Sequence, residues 1–231
     1  MRTFKVIYKD RFGEINSTIF TDGSRMQLVL RDIKFNGADF DMLHGKLDES
    51  KFDYYKYKDG SADLTNFSMN VYIPVYIIHE NILLQETIKF YIQVGDFIDN
   101  TSETINTVEC IASFGTFTLN KKIDYFENSL IDLQNLFPVD YKIKTCLSCK
   151  FSNYHPVGNG TFGGMYCFRN LKEEVLLVND KSDLMNLWSE ENFKNEIIFN
   201  VQETYDCPQH EFLAKNEWSY KDWHNVKYLN T

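Results

Sequence analysis

Residues 66–78 read Asn-Phe-Ser-Met-Asn-Val-Tyr-Ile-Pro-Val-Tyr-Ile-Ile, and apolar side chains occupy every second position of most of this run. A period of two puts successive side chains on opposite faces of a β-strand. Pro74 interrupts the run, and because proline has no N–H to donate, we expect this strand to lie at a sheet edge or to bulge there. The stretch therefore predicts a long strand with one face on a core.

The same period recurs through the first 120 residues, and turn residues separate one run from the next. The further strands predicted are Thr3–Lys9, Ile15–Thr21, Arg25–Phe35, Leu83–Val94 and Thr104–Leu119. Such alternation is typical of an antiparallel sheet with one wet face. Strands of this length favour a β-sandwich or a curled sheet over a small meander.

The period changes between residues 124 and 137, where apolar side chains recur at helical spacing. Asp124 and Glu127, three residues apart, predict a capping box at the start of this helix. We expect it to cover one end of the sheet. The residues that share its apolar face are Phe126, Leu130, Leu133 and Phe137.

Four cysteines stand in the last third of the chain: Cys146 and Cys149 in a Cys-Leu-Ser-Cys run, then Cys167, then Cys207. Two thiols three residues apart can hold one ion from a single turn, and two more from distant segments complete a tetrahedron. This spacing predicts a structural zinc. An iron–sulfur cluster and uncoordinated thiols are the alternatives, and His210, three residues after Cys207, is a possible alternative ligand.

The cysteines divide the chain into two predicted parts, a β-rich domain over residues 1–140 and a zinc-binding subdomain over residues 141–231 packed on it. The fold class predicted is α+β, mostly β, with a small zinc-stapled α/β subdomain at the C-terminal end. Its predicted elements are strands at Met165–Arg169, Glu174–Val178 and Ile197–Tyr205, a helix from Ser182 to about Phe193, and a short helix starting at Cys207-Pro208.

The charge of the chain limits the classes of partner that it can attract. Residues 1–140 carry 14 Lys/Arg against 21 Asp/Glu, net −7, and residues 141–231 carry 10 against 12, net −2. No basic field is present to attract phosphate backbones, so a nucleic-acid partner is disfavoured, and a basic protein partner would be attracted.

The first residues do not resemble a signal peptide, and the apolar run Val71–Ile78 is far short of the ~20 residues of a membrane helix. We expect a cytoplasmic protein with no membrane contact.

In a reducing compartment, an odd count of five cysteines favours metal over disulfides. Cys110, the fifth, is expected to be a small core residue.

Aromatic side chains flanked by charge suggest a second kind of site, because tyrosine supplies contact area at low entropic cost. Tyr54, Tyr55 and Tyr57 are therefore candidates for partner binding, and ordinary packing on the sheet is the alternative.

The C-terminal motif resembles an uncharacterised bacterial family of domains of unknown function. The residues that carry the resemblance are Cys146-Leu-Ser-Cys149, Gly160-Thr-Phe-Gly163, Cys167-Phe-Arg169 and Gln202-Glu-Thr-Tyr205-Asp-Cys207-Pro208. The resemblance covers the last ~90 residues best and implies no particular activity. Near the sulfurs, Glu203 and Tyr205 are possible partners of the ligands, and Arg169 could offset the −2 charge of a tetrathiolate zinc.

Four sulfurs leave a zinc ion no open position, so this site is expected to stabilise the fold rather than to catalyse. No residue is predicted to be catalytic. The function predicted is a non-enzymatic protein-binding module, of which an immunity-type protein that neutralises a toxin is a concrete version. The alternatives are a zinc-containing nucleic-acid-associated protein, favoured by the cations Lys142, Lys144, Lys150 and Arg169 around the cysteines, and a hydrolase with an unrecognised site.

Overall fold

A computed structural model describes residues 1–95, 104–123, 125–156, 158 and 160–230 of the chain. Strands dominate these residues. The strands are β1 (Arg2–Asp10), β2 (Gly13–Thr21), β3 (Met26–Leu30), β4 (Ile33–Gly37), β5 (His44–Gly45), β6 (Asp53–Lys56), β7 (Ala62–Thr65), β8 (Phe67–His79), β9 (Ile82–Val94), β10 (Thr104–Ala112), β11 (Gly115–Ile123), β12 (Lys142–Lys144), β13 (Ser152–Tyr154), β14 (Met165–Cys167) and β15 (Ile198–Val201). The helices are α1 (Phe126–Leu136), α2 (Lys172–Val175), α3 (Lys181–Ser189) and α4 (Lys227–Asn230).

Twelve of these strands form one antiparallel sheet, in the order β11-β10-β9-β8-β1-β2-β3-β4-β5-β7-β6, with β12 also paired to β8. Strands β13, β14 and β15 form a separate small antiparallel sheet. The prediction of a mostly β fold with a large antiparallel sheet is confirmed.

The large sheet is continuous in its hydrogen bonding, and hydrophobic residues from both of its halves share one core. Tyr8 of β1, for example, stacks on Phe67 with ring centroids 5.3 Å apart and meets Phe52 edge to face at 6.1 Å. Phe90 of β9 packs against Phe126 of α1 at 4.7 Å. Distant strands of the sheet therefore share one core, against which helix α1 packs.

Pro74 lies inside the sheet, so its predicted edge or bulge position is wrong. On one side β8 pairs in unbroken register with β9, and Pro74 faces Thr87. On the other side β1 pairs with β8 only as far as Tyr72, and β12 begins pairing at Tyr76. Pro74 falls in the gap between these two strands, where no N–H is required, and its carbonyl accepts a hydrogen bond from Arg2 Nη2 at 2.6 Å.

The run Arg25–Phe35, predicted as one strand, is a hairpin of β3 and β4. Arg31 and Asp32 form its two-residue turn with φ of 45° and 66°. Two successive positive φ values are typical of the tight turn that matches the twist of paired strands. Nothing in Arg-Asp signals this turn as strongly as Asn-Gly would, and the guanidinium of Arg31 holds it by pairing with Asp10 at 2.7 and 2.8 Å.

Helix α1 begins at Phe126 with Tyr125 as its N-cap and has no side-chain cap. Asp124 lies outside the described residues. The carboxylate of Glu127 accepts the N–H of Asp222 at 2.7 Å instead of closing a capping box. Among the described residues, no helix has the length and apolar composition needed to cross a membrane.

The last third departs from prediction at three elements. Glu174–Val178 is predicted to be a strand, but Lys172–Val175 is helix α2, because Val175 and Val178, three apart, both turn into a small core. Residues after Cys207 form a turn, closed by His210 N–H to the Cys207 carbonyl at 3.1 Å, instead of a helix. Helix α3 begins at Lys181, one residue before its predicted start, with Asp180 as its N-cap, and it ends at Ser189.

Candidate metal centre

Cys146 and Cys149 lie on one tight turn. Residues Cys146–Ser148 form a single 3₁₀ turn, closed by the Cys149 N–H donating to the Cys146 carbonyl at 3.1 Å. The hydroxyl of Ser152 donates to the carbonyl of Cys149 at 3.0 Å and also to that of Cys146. Both thiols are almost fully buried, so the turn presents two sulfurs from a rigid, desolvated backbone.

Cys167 and Cys207 reach the same region from other elements. Cys167 ends β14, where it is paired with Ser152 of β13 and Ile198 of β15. Cys207 follows β15 in a loop, and its sulfur accepts the N–H of Gln209 at 3.4 Å. Both side chains are about 5% exposed or less.

The four thiols interact electrostatically. Burial raises the pKa of Cys146 well above its ordinary value, and the neighbouring Cys167, Cys149 and Cys207 raise it further in that order. Burial also raises the pKa of Cys167 to about 11. The fold thus gathers the four cysteines named from sequence spacing into one buried neighbourhood.

Two cations accompany the cysteines. Arg169 Nη1 donates to the Cys207 sulfur at 3.6 Å. Lys221, only 6% exposed, donates from Nζ to the carbonyl of Cys149 and to Ser152 Oγ at 3.2 Å. No carboxylate of the described residues lies within 4.0 Å of the Lys221 ammonium. Burial lowers its pKa to about 8, and the thiol of Cys149, the carboxyl of Glu127 and the thiols of Cys146 and Cys167 oppose that shift, in that order.

Lys221 is the residue of this site that sequence reasoning missed. It stands 14 positions after Cys207, in a Trp-Ser-Tyr-Lys-Asp-Trp segment that shows no ligand spacing. Nothing in the sequence indicates that this lysine is buried, because lysine is ordinarily a surface residue. Only the return of the C-terminal segment across β13 brings it to the cysteines, where the Asn153 side chain accepts the N–H of Tyr220 at 2.7 Å.

A cavity of about 50 Å³ adjoins the cysteines and is lined by Cys146, Cys167, Arg169 and Tyr205, among others. Within the described part of the chain, no group of three or more His, Cys, Asp or Glu side chains has its donor atoms arranged to hold a metal ion. The sulfurs are therefore gathered without converging on a single coordination point.

One ring nitrogen of His210 is not available as a metal ligand, because Nε2 forms a hydrogen bond with Ser148 Oγ at 2.9 Å. The ring also meets Phe212 edge to face at 4.6 Å. Burial lowers the pKa of His210 to about 3, helped by Lys144 and Lys221. A neutral histidine thus braces the Cys146–Cys149 turn from the side of its serine.

Glu203 and Tyr205, predicted as partners of the ligands, contact the cysteine turn through their backbones. The Tyr205 carbonyl accepts the N–H of Cys146 at 2.8 Å, and the Glu203 carbonyl accepts that of Leu147 at 3.1 Å. The fully buried carboxylate of Glu203 turns to the glycine loop and accepts the N–H of Gly163 at 2.7 Å. These residues tie the turn to the segment that carries Cys207.

The tyrosines predicted for partner binding lie on or beside β6, an edge strand of the large sheet. Tyr54 donates its hydroxyl to the Lys46 carbonyl at 3.1 Å, and Tyr57 donates to Asp63 at 2.7 Å. Tyr55 packs edge to face on Tyr57 with centroids 4.9 Å apart. The hydroxyls of Tyr54 and Tyr57 are thus engaged within the fold.

Cys110 is separate from the other four cysteines. It lies on β10, fully buried in the core of the large sheet, where burial raises the pKa of its thiol to about 12. A thiol of such high pKa stays protonated and behaves as a small apolar group.

Comparison with known proteins gives one match. No curated protein and no solved structure matches the chain. A family model matches residues 2–152, which span all twelve strands of the large sheet, helix α1 and the Cys146–Cys149 turn, whereas the motif that carries the resemblance continues to residue 208. The chain therefore belongs to a family of unknown function, DUF6304.

Proposed function

We propose that the protein is a non-enzymatic binding protein whose C-terminal part is stabilised by a zinc ion held by Cys146, Cys149, Cys167 and Cys207. The observation that most supports a bound metal ion is the presence of two cations next to the cysteine residues. Four thiolates around one Zn²⁺ have a net charge of −2, and Arg169 and the buried Lys221 supply +2. Four neutral thiols would need no such compensation, and a buried ammonium is costly unless opposite charge accompanies it, which the thiolates would supply together with the carboxyl of Glu127.

The chemistry of the donor set favours a structural role. Thiolate sulfur is a preferred zinc ligand, and a tetrahedron filled by four protein sulfurs leaves no position for water or substrate. In zinc-finger peptides such an ion contributes on the order of 10 kcal/mol to folding. The C-terminal part has few long elements of its own, since its strands are three or four residues long.

A nucleic-acid role has little support from the cations around the cysteine turn, because protein groups already engage them. Lys144 is ion-paired with Asp206, and Lys150 pairs with Glu211 at 2.9 Å. Lys142 lies 5.0 Å from the ring centroid of Tyr228. The net charge of −9 also opposes phosphate.

A basic protein partner agrees better with the charge. Opposite charge accelerates encounter and selects partners. A concrete version is an immunity-type protein that neutralises a basic toxin, such as a nuclease.

Metal content and exchange test the structural zinc. We expect one equivalent of zinc per chain by elemental analysis, and an unchanged fold after replacement by cadmium, which prefers thiolates in similar geometry. A catalytic zinc would lose activity on exchange because its reactivity depends on bound water. Zinc well below half an equivalent would contradict the site, and a hydrolytic activity that cadmium abolishes would favour the hydrolase alternative.

The immunity hypothesis has its own test. If a reading frame adjacent to this one encodes a basic toxin, co-expression should restore growth, and the two purified proteins should form a complex whose association rate falls as salt rises. An acidic neighbour, or a toxin that remains lethal in the presence of this protein, would contradict it.

A further inference from the structure

The small sheet of β13, β14 and β15 has two unlike faces. Along β14, Met165 and Cys167 are buried and the residue between them, Tyr166, is half-exposed. On β15, Phe199 is 42% exposed and Val201 is buried. Plain alternation would put Phe199 and Val201 on one face, but Asn200 between them has φ 55° and the register of β14 and β15 shifts there. One face of the sheet therefore turns to the core and the cysteines, and the other carries the rings of Tyr166 and Phe199 toward solvent.

Four aromatic rings meet on this outer face. Tyr166 contacts Phe199 edge to face with centroids 5.3 Å apart, and Trp188 of α3 contacts Tyr166 at 5.8 Å and Phe199 at 6.3 Å. His155, one residue beyond β13, lies 4.2 Å from Trp188. We call His155, Tyr166, Trp188 and Phe199 the aromatic patch.

The aromatic patch is accessible at its surface. Trp188, Tyr166 and His155 are half-buried, so their rings are held in place while part of each faces solvent. Met185, three positions before Trp188 and therefore on the same side of α3, is 45% exposed. Tryptophan and tyrosine held in place beside a flexible methionine are the composition found where binding energy concentrates in protein interfaces.

The chain segment that supplies Trp188 and Phe199 is acidic. Residues 180–199, which supply Trp188 and Phe199, contain five carboxylates against two lysines, net −3. Both lysines are engaged, since Lys194 pairs with Glu191 and Lys181 lies 5.3 Å from the ring centroid of Tyr220. The carboxylates are Asp180, Asp183, Glu190, Glu191 and Glu196.

We propose that the aromatic patch is the docking surface for an arginine-containing segment of a basic protein partner. A guanidinium stacks on aromatic faces through cation–π attraction, and it keeps its charge while doing so. The net negative charge of residues 180–199 would attract the same group and repel an acidic segment. This inference rests on the proposed function, because it names the surface that the basic partner meets.

A peptide of known composition tests the inference. The probe is a fluorescein-labelled octapeptide of alternating arginine and glycine, titrated by anisotropy against the full chain, with lysine and glutamate versions beside it. We expect the arginine peptide to bind more tightly than the lysine peptide, and the glutamate peptide not to bind. Phe199→Ala and Trp188→Ala should each weaken binding by about tenfold.

Two matched sets of variants separate binding from folding. Phe20→Ala removes another exposed aromatic ring, on β2, and should leave affinity within about twofold. Glu190→Lys and Glu196→Lys change exposed carboxylates and leave the aromatic rings in place. If either variant binds the arginine peptide more weakly, the loss therefore does not require that the protein has unfolded. Zinc content and circular dichroism of every variant serve as the folding check.

Each outcome bears on the inference separately from the proposed function. Equal binding of the arginine peptide by the wild type, Phe199→Ala and Glu190→Lys would overturn the docking surface. So would binding of an oligothymidine that depends on Trp188, since that would identify an anionic occupant. If a basic toxin binds wild type and patch variants equally, the docking surface is wrong but the proposed function remains. If the protein contains no zinc and still binds the peptide through the patch, the zinc part of the proposed function is wrong but the docking surface remains.

Discussion

The ammonium group of Lys221 donates a hydrogen bond to the carbonyl of Cys149, 72 residues earlier in the chain. This contact joins the C-terminal segment to the cysteine turn and leaves a positive charge buried near the cysteine thiols and the carboxyl of Glu127. A buried charge needs a partner, and the thiolates of a metal site are the partner that the proposal supplies.

Lys221→Met should therefore weaken zinc retention. Removing a group that contacts a ligand's surroundings typically lowers metal affinity by about 10- to 100-fold. Transfer of zinc to a competing chelator measures the change, and Lys215→Met, at an exposed lysine, is the control. If Lys221→Met retains zinc as well as Lys215→Met does, the charge of Lys221 has no part in holding a thiolate site.

Cys149→Ser and Cys110→Ser should differ sharply, although both replace a buried thiol. The first removes a proposed zinc ligand and should release zinc and open the C-terminal part. The second places a hydroxyl in the core of the large sheet and should cost about 1–3 kcal/mol without loss of zinc. Elemental analysis and hydrogen exchange of the region after residue 141 distinguish them. Similar losses of melting temperature with zinc retained in both would contradict the ligand assignment.

Stability should depend on pH through Glu203. Burial raises the pKa of this carboxyl from 4.5 to about 8. Between these values the folded chain keeps a proton that the unfolded chain releases, so this group's contribution is fully present below pH 4.5 and is lost as pH rises through about 8. Glu203→Gln should remove that loss.

Denaturant titrations of wild type and Glu203→Gln at pH 5 and pH 8 measure the effect. The variant should gain at least about 1 kcal/mol relative to wild type between the two pH values, since each pKa unit corresponds to about 1.4 kcal/mol. Glu190→Gln, at an exposed carboxyl, controls for general charge effects. A constant difference between wild type and Glu203→Gln would show that Glu203 does not keep its proton in the folded state.

Gly23 and Gly60 offer a matched pair for testing how residues 202–205 dock on the β2–β3 turn. Both have positive φ, +100° and +88°. A Cβ on Gly23 would lie 2.4 Å from Tyr205 Cδ2, whereas a Cβ on Gly60 would meet nothing within 4 Å. Gly23→Ala should therefore lose at least about 1 kcal/mol more free energy of unfolding than Gly60→Ala, because backbone strain is common to both and overpacking is not. Equal losses would contradict the close packing of Tyr205.

Local pattern predicted much of the large sheet. In Phe67–His79 buried and half-exposed residues alternate along most of the strand, as the sequence alternation indicates, because the side chains of a strand point to opposite faces. The position of Pro74 could not be read in the same way. Whether its missing N–H is tolerated depends on where β1 stops and β12 starts, and those strands are distant in sequence.

The amino-acid sequence by itself determined the period of the strands, the helical face of α1 and the tight turn that carries Cys146 and Cys149, since each depends on neighbours within one or two turns of chain. Only the tertiary structure decided that Lys221 lies at the cysteines and that Trp188 meets Phe199. Such contacts depend on which faces are buried together when distant segments pack, and that choice is made by the whole core rather than by any local spacing.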